Sequence, residues 1–513
     1  DESPRLLALL KFISVNNHMA QFRSEEDLDL PSDSQTVPQS RYPIRTNILL
    51  RARAIVRSIL TPFLEDEWFQ LCKHGTGTSI GVSYNDTSLE AKSTFPITVT
   101  SRARPILSRY LDFDATLKSA LIKHNQATPT GVWYKEVSAS RATTVPKTTL
   151  IDRVIAVEPT GNMFLQQGLM AMMYRRFKEW GLDLTTLPTE HQTRARLSSI
   201  TSKEATIDWS SASDCVSAGL LKWLLPHQWF WCLDMVRSPN ILIEDTLEEL
   251  NMFSTMGNAG TFPLETLVFY SLAIATYLER NFTLSCYPEA DNRKVCSVFG
   301  DDCIVPTDIA DAFIDVMTSV GFICNRKKTF TDEEGFRESC GGDFLHGYDV
   351  RPFSLKGPVN SKLSSLESWL YIIANRLIPK YILCFGKRDY IYHASFLSTI
   401  HAIFEEYNLS LKLVPPHFPD DSGLRLNSDI QRLVRCYPFR LSKVSVNEHG
   451  SYTFLFRLFV YKQTELRVEE LHFATWIKCP GGERGPYHFT KRKGGYVVAK
   501  GRSAHWTLPS IYN

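Results

Sequence analysis

Residues 298–306 read Val-Phe-Gly-Asp-Asp-Cys-Ile-Val-Pro. Short β-rich runs at 295–299 and 303–305 flank Gly300-Asp301-Asp302, which predicts a hairpin with two carboxylates at its turn. Upstream, residues 205–217 read Ala-Thr-Ile-Asp-Trp-Ser-Ser-Ala-Ser-Asp-Cys-Val-Ser. A strand over 205–207 delivers Asp208, and a helical run is expected from about Ser213. If the two strands are neighbours in one sheet, Asp208, Asp301 and Asp302 converge at one edge. Like charges so placed repel unless cations neutralise them. Hard carboxylate oxygens select Mg²⁺ or Mn²⁺ rather than zinc. Two such ions about 3.5–4 Å apart would serve the attacking and leaving oxygens of an in-line phosphoryl displacement.

Alone, the acidic triplet is weak, since average composition produces it by chance in roughly one chain in ten of this length. An Asp at a strand end is also commonly a turn or cap residue. The weight lies in the order of several elements. Residues 253–262 (FSTMGNAGTF) put Ser254, Gly257 and Asn258 in a polar loop ahead of an apolar helix over 261–281. Asn258 could share a ribose hydroxyl with Asp214, or the loop could be a helix cap. Upstream lie Pro146-Lys147, Arg153 and Glu158-Pro159. The cations there could hold a nucleotide triphosphate, or decorate a solvated strand. Downstream, a helix over 308–320 leads to Asn325-Arg326-Lys327-Lys328-Thr329. Lys327 or Lys328 could protonate a departing pyrophosphate as general acid, although a charge run is usually a wet face. Strands and helices in this mixed order predict an α+β core.

The 513 residues, 43% hydrophobic and 22% charged, suit a globular chain of about three subdomains rather than a disordered one. A net charge of +2 neither demands nor excludes nucleic acid, so charge distribution matters more. Basic residues cluster at Arg45, Arg51, Arg53 and Arg57, at Arg102, Arg104 and Arg109, and at Lys491, Arg492 and Lys493. Eleven cysteines without a Cys-x-x-Cys pair read as free thiols in a reducing compartment. Cys72 and His74 read as structural. No run reaches the roughly 18 uninterrupted apolar residues of a membrane helix, and the best candidate, 220–236, is broken by Lys222, Pro226, His227 and Asp234. No membrane partner and no signal peptide are expected. The start at Asp1 suggests a truncated reading frame. Polar stretches at 24–43 and 415–423 read as a surface loop and a break between elements.

The segments TVPKTTLIDRVIAVEPTGNMFLQQG, ATIDWSSASDCVS, FSTMGNAGTFPLETLVFYSLA, VFGDDCIVP, NRKKTF and FRESCGGDFLHGYDVRPFSLK follow one another between residues 144 and 356. In order and spacing they resemble the replicase β subunit of the levivirus-type positive-strand RNA bacteriophages, an RNA-dependent RNA polymerase family. The resemblance implies a right-hand fold of fingers, palm and thumb, with an antiparallel palm sheet flanked by helices. On that reading residues 1–200 are mainly fingers with part of the palm, 201–357 the palm with a fingers insertion, and 358–513 the thumb and C-terminal elements. It also implies Asp208 and Asp301 as principal ligands of two Mg²⁺ or Mn²⁺ ions, with Asp302 supporting. Asp214 and Asn258, in the loop of Ser254 and Gly257, would select ribonucleotides. Lys147 and Arg153 would steady the triphosphate, and residues 336–341 would form a hairpin beside the priming end. The implied partners are RNA template and product, ribonucleoside triphosphates, host elongation factors Tu and Ts, and a host ribosomal protein. The implied setting is the cytoplasm of an infected bacterium, with primer-independent initiation. Leu150, Trp209 and Pro263 depart from residues usual in that family.

A reverse transcriptase shares the palm and the acidic pair, but a bulky residue normally occupies the position of Asp214. A catalytically inactive RNA-binding relict has no evident use for the acidic trio, because unneutralised clustered carboxylates are costly. Basic and aromatic residues interleave at Arg484, Tyr487, Phe489, Lys491, Arg492, Lys493, Tyr496, Lys500 and Trp506. That mixture suits single-stranded RNA, or an ordinary amphipathic surface. Charge reversal at Arg492 and Lys493 is predicted to weaken template binding and flatten its dependence on salt; an unchanged slope of affinity against salt would refute the assignment.

Overall fold

The computed structural model describes residues 3–84, 86–126, 132–147, 151–281, 285–331, 333–352, 357–358, 361–385, 390–425, 439–442, 445–447, 453–462 and 495–503. Helices and small sheets are mixed along the chain, an α+β fold. The described residues form two compact units, one ending at Arg351 and one beginning at Pro352.

In the first unit the expected acidic hairpin is present. Strands Ser297–Phe299 and Asp302–Pro306 pair antiparallel, and Asp302–Pro306 pairs on its other edge with Glu204–Ile207. Gly300 turns the hairpin at φ +62, a conformation glycine adopts without steric cost. The strand expected over 205–207 is therefore the neighbour of the hairpin. A two-stranded antiparallel ladder continues beyond it, with Trp209 opposite Cys324. The helical run expected from Ser213 is only a 3₁₀ turn, Ala212–Asp214, and the α-helix starts at Ala218. The reason is local: Ser211 turns the chain at φ +52, and the Ser217 hydroxyl then caps the helix by accepting from the Leu220 N–H at 3.1 Å.

Helix Thr261–Arg280 is almost wholly buried. Pro263 fits because the first-turn N–H groups of a helix have no partner within it. Among the described residues this helix, not residues 220–236, is the one long and apolar enough to cross a membrane, yet 89% of its apolar window is buried inside the fold. Residues 220–236 belong to two helices, Ala218–Leu224 and His227–Val236, parted at Pro226. Trp209 lies in the core with its ring edge-on to Phe269, Phe313 and Phe322 at 5.6, 5.8 and 6.4 Å between centroids. Cys72 is buried, and His74 packs on Phe164.

A four-stranded sheet carries the other candidate elements. Its order is Asp152–Val157, Ser140–Pro146, Asn240–Ile243, Thr246–Glu249. Most arginines of two of the clusters have carboxylate or carbonyl partners. Arg51 bonds Glu279 at 2.9 Å, Arg53 the Gln35 carbonyl at 2.6 Å, and Arg45 the Leu28 carbonyl at 2.6 Å. Arg102 pairs with Asp234, Arg104 with Glu136 and Arg109 with Glu65. Residues 24–43 thus form a surface segment held down by Arg45 and Arg53.

The second unit has helices Leu363–Phe385 and Tyr390–Glu406 and a three-stranded antiparallel sheet, Ser445–Asn447, Thr453–Lys462 and Gly495–Ser503. The stretch 415–423 joins strands Leu413–Val414 and Leu424–Arg425. A buried ion pair, Lys412 to Glu367 at 2.5 Å, is completed by the Tyr371 hydroxyl donating to the same carboxylate oxygen at 2.8 Å. Tyr496 and Lys500 lie on the last strand; Arg484, Tyr487, Phe489, Lys491, Arg492, Lys493 and Trp506 lie outside the described residues, as does Leu150.

Trp209→Ala removes the ring around which three phenylalanines pack, and should cost about 3–5 kcal/mol. A denaturant midpoint unchanged from wild type would contradict this.

Candidate active site at an acidic sheet edge

Register places the carboxylates. Ile207 stands opposite Cys303, so the next residue on one strand, Asp208, leaves the sheet beside Asp302. Asp301 is at the exposed tip of the hairpin. Asp208 is held from the side away from the hairpin. Its Oδ2 accepts from Asn325 Nδ2 at 2.7 Å, its carbonyl from the Asn325 N–H at 2.9 Å, and its own N–H donates to Thr329 Oγ1 at 3.3 Å. Burial raises the Asp208 carboxyl and Asp301 adds to the rise, against the Asn325 hydrogen bond and Lys328. Asp302 is pushed up to about 6, by burial first and then by Asp301, although the Cys340 N–H stabilises its charge. These shifts arise from charge crowding and desolvation together.

The donor type is that of a hard divalent cation. Among the described residues no three His, Cys, Asp or Glu side chains stand at ligand spacing. Carboxylates brought this near to one another repel.

The expected hairpin over 336–341 is formed by Phe336–Ser339 and Gly342–Leu345. Cys340 and Gly341 turn it at φ +45 and +75, which brings the Cys340 N–H to Asp302. Behind it His191 bridges Ser339 Oγ (2.9 Å from Nδ1) and Ser297 Oγ (2.8 Å from Nε2), linking this hairpin to the acidic one. Burial pulls the His191 imidazole down to about 3, so it is neutral and can accept at one nitrogen while donating at the other.

Lys147 and Arg153 sit near the end of the 140–157 hairpin, where Val145 pairs with Arg153 and the Lys147 N–H donates to the Ile151 carbonyl at 2.9 Å. Partial desolvation lowers the Lys147 ammonium, Arg153 and Lys328 lower it further, and Asp208 and Asp301 oppose them. Lys147 therefore shares its field with both the cations and the acids of the site. Lys328 pairs with Glu338 at 3.2 Å. Burial works against its charge, but Glu338, Asp208 and Asp343 outweigh that and hold the ammonium above its usual range. Lys327 is exposed to solvent.

The loop before helix Thr261–Arg280 packs on strand Asp152–Val157. The Ala156 N–H donates to the Met256 carbonyl at 2.8 Å, and Gly257, at φ +115, has no room for a Cβ against the Ala156 carbonyl. Ser254 is buried, and its Oγ lacks a protein partner. Asp214 accepts from the Met256 N–H, while burial raises its carboxyl to about 6. The Asn258 amide is engaged at both ends: Nδ2 donates to Glu158 Oε1 at 3.3 Å, and Oδ1 accepts from the Gly260 N–H at 2.8 Å. One N–H and one lone pair of that amide remain for a ligand.

Two residues of the site escape a motif reading. Glu265 is 5% exposed, its Oε1 has no partner, and its Oε2 lies 3.5 Å from where a Cβ of Gly300 would be. Burial and then Asp301, Asp214 and Asp302 raise it well above the usual carboxylate range. Its only sequence signal is a lone acid in the apolar run of that helix. Glu158 was visible only as half of Glu-Pro, yet it too is buried, 3% exposed.

Between about pH 4 and 6 folded Asp214 keeps a proton that the unfolded chain, with its carboxyl near 3.8, has lost. Stability contributed by this group therefore falls as pH rises through that window, and ionised Asp214 destabilises the fold above it. Asp214→Asn should melt higher than wild type above pH 6, with the gain vanishing towards pH 4. Thermal scans without divalent ions test this, and a difference independent of pH would exclude it.

Comparison with known proteins accords with this arrangement. The family described as RNA replicase, beta-chain, matches residues 2–377. The RNA-directed RNA polymerase beta chain of Enterobacteria phage fr is 32% identical over 404 residues, covering 75% of this chain and 69% of that one. That of Enterobacteria phage GA is 34% identical over 318 residues, covering 62% and 57%. The beta subunit of Escherichia virus Qbeta is 37% identical over 263 residues, covering 47% and 42%. The chain thus spans between 42% and 69% of the length of these three relatives. The family match runs through both acidic strands, the loop at 253–260 and the basic elements, and the chain belongs to the RNA replicase β-chain family.

Proposed function

We propose that this chain is an RNA-directed RNA polymerase, joining ribonucleoside triphosphates on an RNA template with release of pyrophosphate. The observation that carries the reading is the register that sets Asp208 beside the Asp301-Asp302 turn. On this reading the sheet of Glu204–Ile207, Asp302–Pro306 and Ser297–Phe299 is the palm of a right hand, with fingers mainly within residues 1–200 and thumb after 358.

Asp208 and Asp301 would hold two Mg²⁺ or Mn²⁺ ions, with Asp302 beside them. Bound there, the ions would offset the charge gathering on the attacking and leaving oxygens. The protein's own groups have separate tasks. Asn325 and Thr329 keep Asp208 aimed across the edge. Lys147 and Arg153 neutralise the triphosphate. Asp214 and Asn258, on backbone fixed by Gly257, meet the ribose 2′-hydroxyl, one as acceptor and one with its remaining N–H. As the 3′-hydroxyl displaces pyrophosphate from the α-phosphate, Lys328 Nζ stands ready to give the leaving group a proton. Its pairing with Glu338 keeps it charged until then. Initiation without a primer, assembly with elongation factors Tu and Ts and a ribosomal protein, and action in the cytoplasm of an infected bacterium belong to the same reading.

The test is incorporation of labelled ribonucleotides on single-stranded RNA with Mg²⁺, without and with elongation factors Tu and Ts. Wild type should make RNA in at least one condition. Asp301→Asn should lose about 10²–10³-fold or more, the range for removing one group that stabilises developing charge. Chelation should abolish product and Mn²⁺ restore it. Equal product from wild type and variant would refute the metal assignment, and silence from the wild type in both conditions would favour an inactive RNA-binding relict.

A further inference from the structure

Strand Asp152–Val157 runs from the triphosphate cation Arg153 to the buried carboxyl of Glu158. Every side chain found against that carboxyl presents a donor. Ser238 Oγ donates to Oε2 at 2.6 Å, the Ser238 N–H reaches Oε1 at 3.5 Å, and Asn258 Nδ2 reaches Oε1 at 3.3 Å. The Gln166 amide also bonds it.

The orientation of both amides is set by their other ends. Asn258 Oδ1 accepts from the Gly260 N–H at 2.8 Å, so Nδ2 must be the end facing Glu158. Gln166 Oε1 accepts from the Ala259 N–H at 3.2 Å, and its Nε2 donates to the Val236 carbonyl at 2.8 Å. Glu158 therefore sits at the centre of a network that grips three successive residues of the loop, Asn258 by its side chain and Ala259 and Gly260 through the two amides. The network is anchored on the far side by Ser238, just past helix His227–Val236. Glu158 itself is buried away from solvent and touches no part of the acidic edge.

We infer that Glu158 is the positioning residue for ribose selection: its carboxylate holds the Asn258 amide in the one orientation that offers the ribose 2′-hydroxyl an N–H. This rests on the polymerase reading and deepens it. It also ties sugar and triphosphate recognition to a single strand, since Arg153 and Glu158 leave opposite ends of Asp152–Val157. A nucleotide lacking the 2′-hydroxyl gains nothing from the fixed amide, so loss of the anchor weakens only the ribonucleotide.

The experiment compares kcat/KM for a ribonucleotide and its 2′-deoxy counterpart on an RNA template, using the full chain with whichever host factors activity requires. Glu158→Gln is isosteric but turns one acceptor into a donor facing donors. The ratio of ribo to deoxy should fall about tenfold, the worth of one hydrogen bond of this kind, chiefly through KM for the ribonucleotide. Deoxynucleotide kinetics should stay level. In Asn258→Ala the ratio falls as well, and adding Glu158→Gln should lower it no further, since both changes remove one device. A general packing defect would instead depress both substrates and add. Ser238→Ala, a smaller change to the same anchor, should shift the ratio in the same direction by less. An unchanged ratio in Glu158→Gln or Ser238→Ala, or additive losses in the double variant, would overturn the inference while leaving the polymerase reading intact. No RNA from the wild type would overturn the polymerase reading, and this one with it.

Discussion

The pairing of Ile207 with Cys303 is the constraint on which the site depends. Side chains alternate along a strand, so a slip of one residue would turn Asp208 to the other face. Several ties fix the register. The other edge of strand Glu204–Ile207 is bridged at Thr206 to Phe330 through two backbone bonds of 3.1 and 2.9 Å. Arg337, fully buried, donates to the Glu204 carbonyl at 2.8 Å, and Arg194 grips the Glu204 carboxylate while also reaching the Val295 carbonyl at 2.7 Å. Arg194 thus ties the partner strand to the approach of the acidic hairpin. A buried arginine without such acceptors would be a heavy liability; here its donors specify an arrangement.

That arrangement carries a standing electrostatic cost. Asp208, Asp302, Asp214 and Glu265 are all pushed upward, in each case first by burial and then, for three of them, by one another or by Asp301. A fold selected for stability alone would not bring four acids together beneath one turn. The helix Thr261–Arg280 supplies the counterweight, since burying its apolar length against helix Ile44–Leu60 is favourable at about 25 cal/mol per Å². Thr266 on that helix also accepts from the Gly300 N–H at 3.0 Å, so the element that compensates for the acids also holds their turn.

How much of this was legible in the sequence follows from what kind of interaction each feature uses. The acidic hairpin, the strand into Asp208 and the long apolar helix are local patterns, and each formed as read. The membership of the family was legible because several motifs occur in order. Unreadable were features decided by partners distant in the chain. Arg45, Arg51 and Arg53 look like a basic patch in sequence but are committed to Leu28, Glu279 and Gln35. The helix after Asp214 starts late because Ser211 adopts a positive φ, which no composition rule demanded of a serine. Glu265 and Glu158 belong to no motif chemistry; only burial against particular neighbours gives them a role.

A division of labour runs through the site. The acids stand on sheet and turn, where backbone hydrogen bonds leave little freedom. The groups read as meeting the nucleotide stand on the 140–157 hairpin and on the loop before helix Thr261–Arg280, and those two are joined to each other. The joint is made twice by backbone, at Ala156 to Met256 and by the close approach of Gly257 to the Ala156 carbonyl, and once by side chains through Glu158. Those two backbone contacts fix where the loop lies but not which way an amide faces. The Gly260 N–H and the Glu158 carboxylate decide that together, because an amide flipped at Asn258 would set its oxygen against a carboxylate and its NH₂ against the Gly260 N–H. Two repulsive contacts would then replace two attractive ones. Orientation is thereby enforced by what the wrong state would lose, which is why a buried carboxylate with donors on every side is better suited to this place than a neutral acceptor of the same shape.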